Sequence, residues 1–385
     1  MNNITFNLKK INENDIVSEL NNIGFDKSYV KQGQNKYKYI NIKIFALTLP
    51  QANILKQTAL TVGADCAVNR EVLTANVSST DCILGGSYSQ IKKIIQKIIV
   101  QPFSMEKLAL ELENFLESQI AEKKTPQIVG ILNLTKNSFS DGGMFYDFDK
   151  AVEHLNEMID EGADIIDIGA ESTKPYSSPV SADDQLAVIE PILKYINNRN
   201  IVVPISIDTR SSEVARRSID FGASIINDVS GFDYDENMSK VVANAGVKVI
   251  LQHSQGTPEN MQINPQYDNL IDDIFLNLKN VKLKNALESG IKKENVILDV
   301  GIGFGKTRQQ NFELLRRIDE FKSIGCEMMI GLSRKSLLDM PDATNDEKDI
   351  FTTALNTIAI EKNVEYLRVH NVKLHKKLVE LMKNF

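Results

Sequence analysis

Cysteine, positive charge and long hydrophobic runs are all scarce in this sequence. The three cysteines, Cys66, Cys82 and Cys326, include no C-x-x-C pair, and their odd number argues against a disulfide framework and a zinc knuckle. We expect them to be reduced and buried. The 44 basic residues are outnumbered by 51 acidic ones, for a net charge of −7. Because there is no overall positive field, general attraction to nucleic acid or anionic membranes is excluded.

Targeting signals are also missing from the sequence. The first residues, MNNITFNLKKINEND, lack the basic and then apolar segments of a secretory signal. No apolar run reaches the roughly 18 residues of a membrane span. With 42% hydrophobic and 25% charged residues, the composition is typical of a globular protein. We therefore expect a cytoplasmic protein, and its 385 residues predict about two or three domains.

The pattern changes near Thr125. Residues 1–124 mix two strand-like segments, ITFNLKKI and YKYINIKIFALTL, with helical patterns and end in an amphipathic helix near SMEKLALELENFLESQIAEKK. The charged, non-helical joint at residues 123–126 is typical of a domain boundary. We predict a small α/β domain of the α+β kind over residues 1–124 and a second domain over residues 125–385.

From Gln127 onward, a run of β-branched residues alternates with a helical pattern eight times. The runs are IVGIL, ADIIDIG, IVVPISID, ASIINDV, VKVILQH, NVILDVG, EMMIGLS and VEYLRVH. This alternation implies parallel strands, because each parallel neighbour needs a crossover of a dozen or more residues. Eight units in about 260 residues is the size of a (β/α)8 TIM barrel. A doubly wound open sheet is the alternative, although neither end strand has the polar pattern of an edge.

Polar residues gather where these strands end, which is the reactive face of such a barrel. Two carboxylates, one amide and one ammonium are expected to converge there: Asp208, Asn227, Asp299 and Lys335. Each residue alone could equally be a helix N-cap or a structural polar group. Together they would leave several desolvated polar groups unless a ligand satisfied them. A flat polar heterocycle suits the set, because a carboxylate accepts two parallel hydrogen bonds from a ring N–H and an adjacent amine.

A second cluster suits an anion. Asn133 ends the first strand, and Arg368 and His370 end the eighth, which is its neighbour once a barrel closes. Guanidinium, imidazole and amide groups together fit a pyrophosphate with a divalent ion. His370 could instead be a hydrogen-bonded strand-end histidine. For His253 the structural and functional interpretations are equally open, and His375 in the Lys-rich last helix is expected to be solvated.

The segment DVGIGFGKT is similar to a phosphate-binding P-loop but fails its spacing, because only three residues separate Gly301 from Gly305. We expect these glycines to let the backbone approach a planar ligand, with Phe304 against its face. In LSRKS, Ser336 and nearby backbone N–H groups are expected to open the seventh helix, whose N-terminus favours a carboxylate or phosphate.

Eight ordered motifs resemble those of the dihydropteroate synthase family: NLTKNSFSDGG, DIGAESTKP, SIDT, INDVSG, HSQGTP, LDVGIGFGK, GLSRKS and RVH. The resemblance covers residues 127–385 and says nothing of residues 1–124. It implies a transferase of folate biosynthesis that condenses 6-hydroxymethyl-7,8-dihydropterin diphosphate with 4-aminobenzoate in a dissociative substitution. Pyrophosphate would leave with the help of Mg²⁺. Sulfonamides would compete, no nucleic acid or membrane would bind, and a homodimer is expected.

The same resemblance implies roles for individual residues. The pterin would be held by Asp208, Asn227, Asp299, Lys335, Phe304 and Gly331. The diphosphate would be held by Asn133, Thr173, Arg368 and His370, with Asn133 also binding the metal. The aminobenzoate pocket would be framed by Phe139, Thr173, Lys174, Pro175 and Ser336. The residues implied in catalysis are Lys335, Arg368, His370 and Asn133.

Two other classes of protein compete with this interpretation. A pterin-binding methyltransferase domain would share the barrel but would use a methylated folate and a corrinoid partner. It needs no diphosphate site, so Asn133, Arg368 and His370 favour the synthase. A non-enzymatic scaffold that regulates a partner through residues 1–124 is disfavoured by the intact polar groups.

Overall fold

The computed structural model describes residues 7–119, 124–134, 147–171, 179–256, 261, 263–338, 340 and 343–383. The chain divides into two compact units, Met1–Ala121 and Glu122–Phe385. In the described ranges no helix has the length and apolar character needed to cross a membrane. All three cysteines are free and buried, as expected.

The first unit is built on a three-stranded antiparallel sheet. Its strands, β1 (Tyr39–Thr48), β2 (Asp65–Val68) and β3 (Ser79–Ser87), lie in the order β1-β3-β2. Its helices are α1 (Ile16–Asn22), α2 (Val30–Gly33), α3 (Leu49–Thr61), α4 (Tyr88–Ile98) and α5 (Met105–Ser118). One hydrophobic core joins the sheet to α3, α4 and α5. This unit is of the α+β kind, as predicted.

The sequence pattern predicts only some of the helices and strands of the first unit. The prediction of a strand at ITFNLKKI is wrong for the described part of that segment, because residues 7–11 have no regular secondary structure. The strands β2 and β3 and the helix α4 were not predicted. β3 ends in Gly85-Gly86-Ser87, a composition typical of a turn, yet these residues pair with β1 as a strand. A Cβ added at Gly85 would lie 2.7 Å from Tyr39 Oη. The glycine therefore lets the Tyr39 side chain lie across the sheet.

The second unit is a closed barrel of eight parallel strands. They are β4 (Gln127–Asn133), β5 (Ile165–Gly169), β6 (Ile205–Asp208), β7 (Ile225–Asp228), β8 (Lys248–Gln252), β9 (Val296–Asp299), β10 (Glu327–Gly331) and β11 (Tyr366–Val369). β4 pairs with β11, which closes the circle. The TIM barrel prediction is confirmed, and the open-sheet alternative is wrong.

Helices follow the strands around the barrel. They are α6 (Phe148–Asp160), α7 (Ala182–Asn198), α8 (Ser212–Asp220), α9 (Met238–Ala245), α10 (Leu270–Asn277), α11 (Lys284–Glu288), α12 (Arg308–Arg316), α13 (Asn345–Glu361) and α14 (Val372–Met382). A π-helical segment, Leu278–Leu283, joins α10 to α11. The prediction that Ser336 opens the seventh helix is wrong. It begins a short 3-10 turn, Ser336–Leu338, and α13 starts only at Asn345.

The barrel strands alternate their side chains between two environments. One set packs with the surrounding helices in the main core, for example Ile166, Ile226 and Leu298. The residues between them form a separate cluster inside the barrel, which includes Ile165, Ile225, Ile250, Ile297 and Tyr366. Since side chains on one face of a strand recur every second residue, the interior side chains can be followed from this cluster to the carboxyl ends of the strands.

Candidate functional site

Polar side chains occupy the interior of the barrel two residues beyond the apolar cluster. They are Asp167 on β5, Asn227 on β7, Gln252 on β8, Asp299 on β9 and Arg368 on β11. Ser206 and Asp208 take the corresponding interior positions on β6. The carboxyl ends of all these strands meet at one end of the barrel, which we call the mouth. The sequence prediction that polar groups converge there agrees with this arrangement.

Arg368 links two carboxylates at the mouth. Its Nε donates to Asp167 Oδ2 at 2.6 Å, and its Nη2 donates to Asp208 Oδ2 at 2.7 Å. Asn227 Nδ2 donates to the same Asp167 oxygen at 3.0 Å. Arg368 and Asn227 therefore share one acceptor atom. This network joins two residues predicted for the heterocycle, Asp208 and Asn227, to one predicted for the anion.

Three buried polar atoms on neighbouring strands have no hydrogen-bond partner among the described residues: Asp167 Oδ1, Ser206 Oγ and Asn227 Oδ1. The side chains of these residues are at most 1% exposed. Leaving a buried donor or acceptor unpaired costs about 1–3 kcal/mol. Native proteins satisfy nearly all such groups with protein, ligand or ordered water. The three atoms therefore leave hydrogen-bonding capacity at the mouth that a polar ligand or an ordered water can satisfy.

Lys335 reaches from the residues after β10 to the loop that follows β9. Its ammonium donates to the Ile302 carbonyl at 2.6 Å and lies 4.7 Å from the centroid of the Phe304 ring. Gly303, at φ +85°, leaves room for this side chain, because an added Cβ would stand 3.2 Å from Lys335 Cδ. Asp299 begins the same loop and accepts a hydrogen bond from Gly301 N at 2.7 Å. These contacts bring the predicted ring-binding residues around one loop.

Gly331 ends β10 beside both cations of the mouth. A Cβ added there would lie 3.7 Å from Lys335 Nζ and 3.8 Å from Arg368 Cβ. Lys335 and Arg368 are therefore neighbours across Gly331.

The ionisable groups of the mouth have shifted pKa values. Burial raises the pKa of Asp208 to about 7, although the Arg368 charge opposes the shift. Burial also raises the pKa of Asp299, against the opposing charge of Lys335. Burial lowers the pKa of Lys335 to about 8, while the carboxyl of Asp299 acts in the other direction. Shifts of this kind, in opposite directions within one cleft, are typical of functional sites.

Two of the residues predicted to hold an anion, Asn133 and Arg368, lie on the paired strands β4 and β11. Asn133 is the half-buried last residue of β4. His370 directly follows β11, and its Nδ1 lies 2.9 Å from Ser333 Oγ. Burial, followed by the charge of Arg334, lowers the pKa of His370 to about 3, so the imidazole is neutral near pH 7. His370 can thus contribute a hydrogen bond to an anion but no charge.

A buried lysine donates hydrogen bonds to the loop that follows β9. Lys306 is 2% exposed and donates to the carbonyls of Gly301 and Phe304, both at 2.9 Å. Its Nζ also lies 3.1 Å from His253 Nδ1. Burial lowers the pKa of His253 to about 2 and that of Lys306 to about 7. These contacts favour the structural interpretation of His253.

Sequence reasoning missed Asp167 and Lys306. Asp167 lies two residues before the end of its strand, and attention to the strand ends alone passes over it. The period of two along ADIIDIG would have placed it on the same face as Gly169, and therefore inside the barrel. His375, expected to be solvated, is fully buried, and its Nδ1 lies 2.8 Å from the Asn371 carbonyl oxygen.

The predicted aminobenzoate residues are described only in part. Phe139, Thr173, Lys174 and Pro175 lie outside the described residues. Ser336 is exposed at the start of its short 3-10 turn.

A closed parallel barrel whose mouth joins buried carboxylates to cations defines a TIM-barrel enzyme with a polar ligand site. Residues 129–370 match the family model described as "Pterin binding enzyme". A dihydropteroate synthase from Clostridium beijerinckii is 42% identical over 64% of this chain and 88% of its own length. A solved structure of the Yersinia pestis dihydropteroate synthase with a sulfonamide drug is 33% identical, with a TM-score of 0.64, and covers 69% of this chain and 95% of that one. The chain belongs to the dihydropteroate synthases, the pterin-binding transferases of folate biosynthesis.

Two further relatives are longer matches to this chain. A probable bifunctional folylpolyglutamate synthase/dihydropteroate synthase from Haloferax volcanii is 33% identical over 84% of this chain, which spans only 40% of that protein. A bifunctional dihydropteroate synthase/dihydropteroate reductase from Helicobacter pylori is 32% identical over 98% of both chains. The second match therefore includes the first unit. The synthase matches favour the synthase over the methyltransferase alternative.

Proposed function

We propose that the barrel mouth condenses 6-hydroxymethyl-7,8-dihydropterin diphosphate with 4-aminobenzoate. In the hydrogen-bond network of Arg368, Asp208 and Asn227 would bind the pterin, and Arg368 itself would bind the diphosphate. The observation that carries this proposal is that Arg368 bonds Asp208 and shares Asp167 with Asn227. Ring-binding and diphosphate-binding groups would then act within one hydrogen-bonded unit.

The pterin would bind to Asp208, Asn227, Asp299 and Lys335. Ring N–H and exocyclic amine groups of a pterin are donors, and the two carboxylates and the unpaired Asn227 oxygen are acceptors. The Lys335 ammonium would donate to a ring nitrogen or carbonyl oxygen. Phe304, with a side chain 9% exposed beside that ammonium, would lie against the ring, and Gly331 would leave space for it.

The diphosphate would bind to Arg368, His370 and Asn133, and Thr173 is a further predicted ligand. Two of the guanidinium nitrogens of Arg368 already donate to carboxylates, which fixes the plane of the group. A guanidinium has five N–H donors, so others remain for phosphate oxygens.

A divalent ion fits this half of the site only if both the protein and the substrate coordinate it. Within the described ranges, no group of three His, Cys, Asp or Glu side chains could hold a metal ion. Mg²⁺ often binds through one or two protein oxygens, several waters and substrate phosphates. The Asn133 amide oxygen suits that role. When bound, the ion would supply positive charge beside the leaving diphosphate.

The reaction would proceed by ionisation of the bond between the pterin methylene carbon and the diphosphate oxygen. Positive charge develops on the methylene and negative charge on the pyrophosphate. The carboxylates of Asp208 and Asp299 would stabilise the first charge, and Arg368 would stabilise the second. The amine of 4-aminobenzoate then attacks the cation and loses a proton. No nucleophilic side chain is required, so Lys335 and Arg368 would act by binding and charge, and the neutral His370 and Asn133 would act by hydrogen bonding.

The direct test is product formation by the purified full chain. We expect 7,8-dihydropteroate and pyrophosphate in equal amounts when both substrates and Mg²⁺ are present, measured by chromatography and a coupled pyrophosphate assay. A sulfonamide should compete with 4-aminobenzoate. Absence of product, or product formation without 4-aminobenzoate, would contradict the proposal.

A second activity is favoured by one comparison. The Helicobacter pylori relative, named as both synthase and dihydropteroate reductase, matches 98% of this chain, including its first unit. We infer that the full chain also reduces dihydropteroate, which is the product of the barrel reaction. Hydride donors in proteins are commonly nicotinamides or flavins. Incubating the full chain with dihydropteroate and either donor should oxidise the donor, and no dihydropteroate-dependent oxidation would contradict this activity. A homodimer and a cytoplasmic location remain predictions.

A further inference from the structure

The interior carboxylate of Asp167 contacts both halves of the proposed site without being predicted to bind either substrate. Asp167 is 0% exposed and lies two residues before the end of β5, paired with Ile131 and Ser206 of the flanking strands. Its Oδ2 atom accepts from Arg368 Nε at 2.6 Å and from Asn227 Nδ2 at 3.0 Å. One atom thus fixes two side chains that come from β11 and β7.

We propose that Asp167 is a positioning residue that orients the diphosphate-binding guanidinium and the pterin-binding amide together. This inference rests on the proposed function of the mouth. An arginine can rotate about four side-chain bonds, and a second acceptor at Nε fixes the plane of its guanidinium. An Asn amide can flip its oxygen and nitrogen. The hydrogen bond from Nδ2 to Asp167 fixes which face of the amide is the acceptor.

Loss of the Asp167 charge should therefore weaken both ligands. Without it, Arg368 keeps only Asp208 as a carboxylate partner, and Asp208 is also the group proposed to bind the pterin. The pterin would then compete with Arg368 for Asp208. At the same time Asn227 would lose the acceptor that orients its oxygen toward a ring donor.

The experiment is calorimetric titration of the full chain with two separate probes. Inorganic pyrophosphate with Mg²⁺ reports the diphosphate half, and 6-hydroxymethylpterin, which has no diphosphate, reports the ring half. Asp167→Asn should weaken each probe by about tenfold or more, because a charge-assisted hydrogen bond is lost. Asn227→Ala should weaken the pterin but leave pyrophosphate within about twofold.

A double variant separates positioning from a general loss of structure. In an Arg368→Lys background, which keeps the charge but not the fork, adding Asp167→Asn should change pyrophosphate affinity by less than about threefold while still weakening the pterin. Asp164→Asn is the matched control. Asp164 directly precedes the same strand at the other end of the barrel, where it binds Lys376 at 3.0 Å. It should leave both affinities within about twofold.

Wild-type affinity of Asp167→Asn for either probe would overturn the inference. If that variant does not fold, Asp167→Glu tests position rather than charge, because it keeps the charge but moves the accepting oxygen by one methylene relative to Arg368 and Asn227. It should also weaken both probes, and wild-type affinity for either probe would overturn the inference. Failure of the proposed function would look different, since the wild-type chain itself would then bind neither probe.

Discussion

Replacing Asp208 by Asn tests the electrostatics of the mouth. The substitution keeps the shape of a side chain that is 9% exposed and removes the charge that pairs with Arg368 at 2.7 Å. A hydrogen bond to a charged group contributes about 1.5–3 kcal/mol, so we expect 6-hydroxymethylpterin to bind about 10- to 150-fold more weakly.

The size of this effect should depend on pH. Because burial raises the pKa of Asp208 to about 7, the carboxyl is mostly ionised at about pH 8 and mostly protonated at about pH 6. Its ability to accept two hydrogen bonds is therefore present above the pKa and lost as the pH falls through it. The wild-type chain should lose about tenfold in affinity between these two values, and Asp208→Asn should lose almost none.

Calorimetric titration of 6-hydroxymethylpterin at both pH values measures both effects. The ratio of wild-type to variant affinity cancels the protonation of the ligand itself. Asp220→Asn, at a side chain that is 63% exposed on α8, is the control and should behave like the wild type. Equal wild-type and Asp208→Asn affinities at about pH 8, or a difference that does not change with pH, would refute the reasoning.

Three further predictions concern the Glu327 ion pairs, the buried Lys306 and the divalent ion. Burial opposes ionisation of Glu327, but Lys124, Tyr366 and Lys248 outweigh it and lower the Glu327 pKa from 4.5 to about 2. Because solvent screens the partly exposed lysines, Glu327→Gln should leave kcat unchanged but lower the stability by about 1–2 kcal/mol. That stability should be present above about pH 5 and lost as the pH falls toward 2, and an unchanged Tm with unchanged acid unfolding would contradict it. Lys306→Met should weaken pterin binding about tenfold more than Lys240→Met on the outer helix α9, as measured by titration, because four acceptor atoms around Lys306 lose their donor. Excess chelator should stop pyrophosphate release, whereas full turnover in chelator would exclude the divalent ion.

The barrel could be predicted because its sequence pattern is redundant. Eight β-branched runs alternate with helical segments, and each run independently indicates a buried parallel strand. The first unit offers no such repetition. β2 has four residues, and β3 ends in Gly-Gly-Ser, a composition that local propensity assigns to turns. Pairing with β1 across the sheet decides the structure there.

The polar residues that converge at the mouth could be predicted, but the contacts between them could not. Asp208, Asn227, Asp299 and Arg368 were identified because each ends or nearly ends a strand. The ion pairs of Arg368 join residues 160 and 201 positions apart, and only barrel closure brings them together. The same closure makes Asp167 a shared acceptor. Strand-end reasoning missed it because its role depends on which neighbours face it across the interior.

A crystal structure of the full chain with pterin diphosphate and Mg²⁺ tests the two-halved mouth most directly. We predict that the ring lies against Asp208, Asn227, Asp299 and Lys335, while the diphosphate oxygens contact Arg368 and Asn133. A ring bound outside the barrel interior, or a diphosphate held without Arg368, would contradict the account.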